Sequence, residues 1–230
     1  MNLSGKKIVV TGAFGVLGAA VSAVVKSAGA QVACIDFAPA SKAPAALAGC
    51  VLIDGVDLNS TAAATKAVES AAAQLGGLDG IVNIAGGFRW EKLADGDIAT
   101  WDFMFNVNVR TAVNAIRAAL PFLKSAGARI VNIGAAGSIK AAAGMGSYAA
   151  SKAGVAKLTE ALADELKDSG VTVNAILPSI IDTPVNRADM PTADFERWVK
   201  PAQVADLIVF LLSERAAAIT GALIPITGRV

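Results

Sequence analysis

The feature that most constrains the fold of this chain is a repeated alternation of short apolar strands with longer helical segments. The strand-length runs are rich in β-branched residues and lack polar alternation, as is typical of strands buried on both faces. The predicted strands are residues 7–11, 31–36, 51–53, 78–84, 129–133, 171–177 and 222–226. Five helices are predicted. The first ends near residue 29, three others run over about 61–75, 101–123 and 201–212, and one begins at residue 148. This order predicts a parallel, doubly wound sheet in one domain, residues 1–230, with ligands bound beyond the carboxyl ends of the strands.

A glycine-rich turn follows the first strand and opens the first helix. Glycines let the backbone approach a pyrophosphate, and the start of the helix offers free N–H groups. The second strand ends at Asp36, whose carboxylate can accept hydrogen bonds from both ribose hydroxyls of adenosine and would repel a 2′-phosphate. No lysine or arginine lies within the turn or directly after Asp36. We therefore expect a cofactor site that prefers NAD(H) over NADP(H). Its turn residues are Gly12, Phe14, Gly15, Val16, Leu17 and Gly18.

Tyr148 and Lys152 are four residues apart and lie on one face of the predicted helix. A phenol titrates near 10, too high for acid–base chemistry at neutral pH, and a fixed ammonium beside it lowers that pKa. The pair suits proton transfer. On these residues alone, the alternative interpretation is a solvent-exposed Tyr/Lys pair with no catalytic role.

Composition excludes several function classes. The chain has 20 lysines and arginines against 19 acidic residues, so it lacks the excess positive charge that is typical of nucleic-acid-binding proteins. The chain has no histidine, and Cys34 and Cys50 are isolated, so we expect no metal site and a reducing, cytoplasmic compartment. The uncharged run over residues 8–25 resembles a signal peptide or a short membrane span. The strand–glycine–helix interpretation explains the same residues, so no membrane association is expected.

At this point the chain resembles the short-chain dehydrogenase/reductase family. The order and separation of the motifs carry the resemblance over nearly the whole chain. They are Thr11-Gly12 with Gly15 and Gly18, Asp57-Leu58, Asn83-Ile84-Ala85-Gly86, Asn106-Val107-Asn108-Val109, Tyr148 with Lys152, and Pro178 through Thr183. The resemblance implies a Rossmann-type domain with seven strands in the order 3-2-1-4-5-6-7 and helices on both faces. It also implies a homodimer or homotetramer that acts on a small molecule.

The resemblance assigns roles to individual residues. Tyr148 would be the proton donor and acceptor, Lys152 would bind the nicotinamide ribose and lower the pKa of the tyrosine, and Asn108 would hold a water chain to that lysine. The resemblance also implies cofactor contacts for a pair of residues beside the adenine, for the turn beside the adenosine ribose, and for the segment that holds the nicotinamide carboxamide. These residues are Asp57, Leu58, Asn83, Ala85, Gly86, Pro178, Ile181 and Thr183.

Several positions depart from the family pattern, and one of them concerns the chemistry. The family usually has glycine where this chain has Val16 and Ser179, and asparagine where it has Ile84. The family's catalytic serine lies thirteen residues before the tyrosine, and that position is Ala135 here. The stretch from Asp182 to Trp198, Gly86-Gly87-Phe88 and Gly144-Met145 are similar to quinonoid dihydropteridine reductases, which also lack that serine and prefer NADH.

The leading hypothesis is hydride transfer between NAD(H) and a small substrate of the quinonoid dihydropteridine kind. One alternative is an ordinary carbonyl reductase or alcohol dehydrogenase in which Ser138 or Ser147 supplies the missing hydroxyl. Another is a catalytically silent NAD-binding protein. The irregular segment 182–200 is expected to be a mobile lid, because it is long for a connection in a compact domain. Five residues are candidates for a substrate pocket or for simple packing. They are Phe88, Arg89, Trp90, Phe195 and Trp198.

Overall fold

Seven parallel strands form one sheet in the order β3-β2-β1-β4-β5-β6-β7. The computed structural model describes residues 1–123 and 127–230. The strands are β1 Lys7–Thr11, β2 Gln31–Ile35, β3 Val51–Ile53, β4 Gly80–Asn83, β5 Arg129–Ile133, β6 Thr172–Pro178 and β7 Leu223–Ile226. The helices are α1 Val16–Ser27, α2 Thr61–Leu75, α3 Ile98–Phe105, α4 Thr111–Ala119, α5 Gly146–Glu165, α6 Pro184–Asp189 and α7 Pro201–Leu212. The predicted α/β class, strand order and doubly wound arrangement are confirmed.

Helices cover both faces of the sheet because successive strand residues point to opposite sides. Val10 faces the cluster that contains α1 and α7, together with residues such as Val21 and Ile208. Val9, its neighbour in sequence, faces the cluster built from α2, α4 and the second half of α5. Two separate apolar layers therefore hold the sheet, and its carboxyl edge is left to the loops.

The predicted helix over residues 101–123 is found as a continuous helical run over residues 98–119, with other bounds and with a π-helical turn inside it. The chain forms α3, capped by the Asp97 side chain, then a π-helical turn over Asn106–Arg110, and then α4. A π-turn inserts one extra residue and rotates the side chains that follow it. Asn108 lies in this turn and bonds to the β4–α3 loop, which explains why the widening occurs here. Regular helix ends at Ala119, just before Pro121, which has no N–H to donate to the carbonyl four residues earlier.

The segment over residues 182–200 is folded rather than irregular. The carboxylate of Asp182 accepts two hydrogen bonds from Arg187, at 2.6 and 2.8 Å, and one from Lys200 at 2.9 Å. These cations hold the pKa of Asp182 well below its usual range. Val199 bridges back to Ile181, and Trp198 is buried. The two ends of the expected lid are therefore joined to each other, and the buried residues Trp198 and Val199 anchor the second end in the domain.

Candidate active site at the carboxyl edge of the sheet

The turn after β1 requires glycine for two separate reasons. Gly12 has a positive φ of 64°, and a methyl group there would lie 2.7 Å from the backbone nitrogen of Ala85. A side chain at Gly18 would collide with the carbonyl of Gly12. Thr11 ties the two strands together, because its hydroxyl oxygen accepts the N–H groups of Ile84 and Ala85 at 3.1 and 3.2 Å. The β1 and β4 turns are thus held side by side with bare backbone between them.

Asp36 lies at the end of β2 and is fixed by backbone donors. One carboxylate oxygen accepts the N–H of Phe14 at 2.8 Å, and the other accepts the N–H of Ala38 at 2.9 Å. Each oxygen keeps a further lone pair for another donor. The side chain therefore orients the glycine turn and presents an acceptor pair beside it.

A cavity of about 1050 Å³ opens along this edge. It is lined by twelve of the predicted cofactor residues, namely Gly12, Phe14, Gly15, Val16, Leu17, Gly18, Asp36, Asp57, Leu58, Ala85, Gly86 and Thr183. Asn83, Tyr148, Lys152, Pro178 and Ile181 were also predicted to bind the cofactor, but they do not line it.

The cavity also has lining residues that the motifs did not indicate. One wall is made by Phe103, Val107 and Thr111, which project from α3, the π-turn and α4. Their spacing of four is the helical signal that would have found them. Lys42, in the β2–β3 connection, lines the same cavity as Asp36, although it lies six residues after that aspartate in the chain. The remaining additional residues are Phe37, Ala38, Val56, Asn59, Ile84, Ile133 and Val185.

Asn83 does not line the cavity, and its side chain points into the sheet. Its amide donates to the side-chain oxygen of Asn132 at 2.8 Å, and Asn132 donates to the hydroxyl of Thr159 at 2.9 Å. All three side chains are buried. This polar chain joins β4, β5 and α5, and it anchors the helix that carries Tyr148.

Tyr148 and Lys152 lie in the first turns of α5. Burial raises the pKa of Tyr148 to about 12 and lowers the pKa of Lys152 to about 8. The Lys152 ammonium donates to the carbonyl of Ile133 at 2.8 Å, and Ile133 lines the cavity. The expected lowering of the tyrosine pKa by the lysine is therefore not found, because burial of the phenol dominates and the ammonium bonds to the backbone.

Asn108 connects the π-turn to the loop after β4. Its side-chain oxygen accepts the N–H of Gly87 at 3.0 Å, and its amide donates to the carbonyl of the same residue at 3.0 Å. A methyl group at Gly86 would lie 2.5 Å from the Asn108 oxygen and 3.4 Å from the Lys152 nitrogen. Asn108 and Lys152 therefore meet directly behind the glycine that lines the cavity.

The β5–α5 loop lacks a free hydroxyl at the expected place. Ala135 is buried, and the hydroxyl of Ser138 donates to the carbonyl of Ala135 at 2.6 Å. Ser147 is also buried, and its hydroxyl has no hydrogen-bond partner within residues 1–123 and 127–230.

Aromatic residues after β4 form an arm beside Tyr148. The ring of Phe88 meets the ring of Tyr148 edge to face, with 4.9 Å between centroids. The Trp90 indole donates to the carbonyl of Ala143 at 3.0 Å and packs on Gly144, where a side chain would collide with it. The Arg89 guanidinium stacks over Phe103 at 4.0 Å. By contrast, Phe195 and Trp198 pack against each other at 4.8 Å, which favours the packing interpretation for that pair.

These features fit a dinucleotide better than a metal ion. Bare backbone, the start of α1 and the acceptor pair of Asp36 provide what a pyrophosphate and a ribose need. The described part of the chain holds no group of three or more His, Cys, Asp or Glu side chains that could bind a metal. Among its helices, none combines the length and hydropathy needed to cross a membrane.

The sequence matches the profile of the short chain dehydrogenase family over residues 6–194. The chain belongs to the short-chain dehydrogenase family. Members of this family are NAD(P)-dependent oxidoreductases, so this chain is an enzyme of that type.

Relatives of known structure and name span the whole chain. A short-chain dehydrogenase from Burkholderia cenocepacia, solved in complex with NADP, is 36% identical, with a TM-score of 0.91 over 99% of this chain and 98% of that one. The 2-(S)-hydroxypropyl-CoM dehydrogenase 3 of Xanthobacter autotrophicus is 31% identical over 99% of this chain and 97% of its own length. A 3-oxoacyl-(acyl-carrier-protein) reductase of Vibrio cholerae is 33% identical over 99% and 98%. The short-chain dehydrogenase fold therefore extends over the whole of this chain.

Proposed function

We propose that this enzyme reduces a small, planar, already activated substrate of the quinonoid dihydropteridine kind with NADH. The observation that carries the proposal is the β5–α5 loop. There Ala135 replaces the family's serine, and the hydroxyl of Ser138 donates a hydrogen bond to the backbone carbonyl of Ala135. A ketone gains from a hydroxyl that stabilises its developing alkoxide. A quinonoid diimine already accepts hydride readily, and so needs that donor less.

The surroundings of Tyr148 support a planar substrate. Phe88 is 53% exposed and stands perpendicular to the Tyr148 ring, with an interplanar angle of 84°. An exposed aromatic face beside the proton donor favours stacking of a flat ring. In the proposed reaction, bound NADH supplies the hydride and the phenol of Tyr148 supplies the proton to a ring nitrogen.

We also propose that NADH is preferred over NADPH. The support is the carboxylate of Asp36, which lines the cavity and is held in place by Phe14 and Ala38. A 2′-phosphate beside it would meet like charge. Lys42 lines the same cavity, and the solved relative from Burkholderia cenocepacia holds NADP, so the preference has to be measured.

A second candidate is reduction of an ordinary ketone. The relatives favour it, because the Vibrio cholerae protein is named for a 3-oxoacyl substrate. In this alternative the missing hydroxyl would come from Ser147, or from Ser138, which would have to break its bond to Ala135 and turn toward the substrate.

One assay separates the two candidates. The purified enzyme is given NADH or NADPH with quinonoid dihydropterin, and in parallel with a panel that includes a 3-oxoacyl thioester. We expect turnover with dihydropterin that Tyr148→Phe lowers by about 10² to 10⁴, with NADH binding unchanged. Turnover confined to the ketone panel would establish the second candidate and refute the first.

We further propose that the protein is a homodimer or homotetramer. The support is a set of apolar side chains that α3 leaves exposed, with Trp101 at 37% and Phe105 at 55%. Light scattering coupled to size exclusion measures the assembly mass, and a monomer at micromolar concentration would contradict the proposal.

A further inference from the structure

Ser151 bonds to two of the three catalytic candidates, Asn108 and Tyr148. The side-chain amide of Asn108 donates to its hydroxyl oxygen at 3.0 Å, and that hydroxyl donates to the backbone carbonyl of Tyr148 at 2.7 Å. Ser151 is 2% exposed and Asn108 is 1% exposed, so water does not replace either bond. The hydroxyl therefore acts as acceptor toward one residue and donor toward the other, which fixes its orientation.

These bonds close a circuit around Tyr148. Asn108 also bonds twice to Gly87, and the next residue, Phe88, places its ring against the Tyr148 ring. The backbone of Tyr148 is thus held through Ser151, while its ring is held through Phe88, and both holds lead back to Asn108.

We propose that Ser151 is a positioning residue that sets the location of the Tyr148 phenol through the carbonyl of the first turn of α5. Without its hydroxyl, one amide hydrogen of Asn108 keeps only the weak acceptor sulfur of Met104, at 3.9 Å, and the first turn of α5 loses its hydrogen-bonded link through Asn108 to the β4–α3 loop. The phenol then moves relative to Phe88. The consequence for turnover rests on the oxidoreductase function proposed above, but the consequence for the phenol does not.

The chain offers a matched control and a clean probe. Ser213 is also buried, and its hydroxyl donates to the carbonyl three residues earlier, Phe210, at 2.7 Å, but it lies at the end of α7 with no link to Asn108. The sequence contains a single tyrosine. Protein labelled with ¹³C-tyrosine therefore gives ring resonances from Tyr148 alone, and their shifts depend on the nearby Phe88 ring.

The experiment compares Ser151→Ala with Ser213→Ala. We expect Ser151→Ala to shift the Tyr148 ring resonances and to lower kcat by about 10- to 100-fold, as a small misplacement of a reacting group does, with NADH affinity unchanged. We expect Ser213→Ala to change neither. Ser151→Thr, which keeps the hydroxyl, should restore both the resonances and kcat.

Unchanged tyrosine resonances in Ser151→Ala would overturn the proposal, and so would equal changes in the two alanine variants. If Ser151→Ala does not fold, Ser151→Cys keeps the volume with a weaker donor, and the same comparison of resonances applies. If no substrate is turned over, the resonances still test the positioning role, so its failure is distinct from failure of the proposed function.

Discussion

The ammonium nitrogen of Lys152 lies 2.8 Å from the carbonyl oxygen of Ile133, to which it donates a hydrogen bond. Ile133 is the last residue of β5 and lines the cavity beside the glycine turn. The lysine therefore reaches from α5 to the edge of the cavity with its charge almost fully withdrawn from water. Burial lowers the pKa of Lys152, because the charged ammonium is less well solvated in the folded protein than in the unfolded chain. The charged form of this lysine therefore destabilises the folded state.

The first prediction concerns how stability depends on pH. The pKa of Lys152 falls from 10.5 to about 8 in the folded protein, so between these values the unfolded chain binds more protons. Stability should rise with pH across this window, since the cost of burying the charge disappears as the folded-state lysine loses its proton. The pKa of Tyr148 rises from 10.0 to about 12, so its contribution works in the opposite direction above pH 10.

Lys152→Met tests this, because it keeps an unbranched apolar side chain and removes the titration. The Tm of the unaltered protein minus that of the variant should increase from pH 8 to pH 10. A difference that stays flat or falls across this range would show that the ammonium is not held at a cost.

Much of the fold was predictable because local patterns and tertiary structure agree. Strand-length apolar runs such as residues 129–133 are buried on both faces, and Ser60 caps α2 as its side chain predicts. The π-turn was not predictable, because it depends on Asn108 bonding to Gly87, a contact between distant segments. The family resemblance places Asn83 in the turn beside the adenosine ribose, but it does not reveal that the side chain points to Asn132 in the sheet. The pKa of Tyr148 depends on burial, which the spacing to Lys152 does not reveal.

The second prediction concerns cofactor choice. Asp36→Ala removes the like charge that opposes a 2′-phosphate, so the NADH-to-NADPH ratio of kcat/KM should fall. It also frees the N–H groups of Phe14 and Ala38, so binding of both cofactors should weaken. Lys42→Ala is the matched change of the opposite charge in the same cavity, and it should weaken NADPH only. Comparable kcat/KM for the two cofactors in the unaltered enzyme would refute the NADH preference.

The third prediction is that the mobile lid, expected from the sequence over residues 182–200, comprises only α6 and the turn that follows it, residues 184–194. Thr183 and Val185 line the cavity, so this part can close on a bound cofactor. Hydrogen exchange there should slow when NADH binds, by up to about 100-fold at 100 times Kd if opening requires release of the cofactor.

Residues 198–200 serve as the internal control for that measurement. The Val199 N–H donates to Ile180 at 3.0 Å, and Trp198 is buried, so this end should be protected with and without NADH. Equal exchange at residues 184–194 in both states would identify a fixed structural element.

The last prediction concerns the hydroxyl that this site lacks. Ala135→Ser places a donor where the family carries its serine, and one such donor typically changes the rate by about 10² to 10³. The variant should therefore raise the rate on a ketone and change the rate on quinonoid dihydropterin little. Ser138→Ala is the companion variant, because Ser138 now donates to the carbonyl of Ala135 at 2.6 Å. While that bond persists, the hydroxyl serves the loop and not the substrate, so its removal should leave the dihydropterin rate nearly unchanged. Steady-state kcat/KM on both substrates checks the pair. A large loss on both substrates in Ser138→Ala would mean that this serine turns inward and has taken over the missing role, and the case for an activated substrate would then lose its chemical basis.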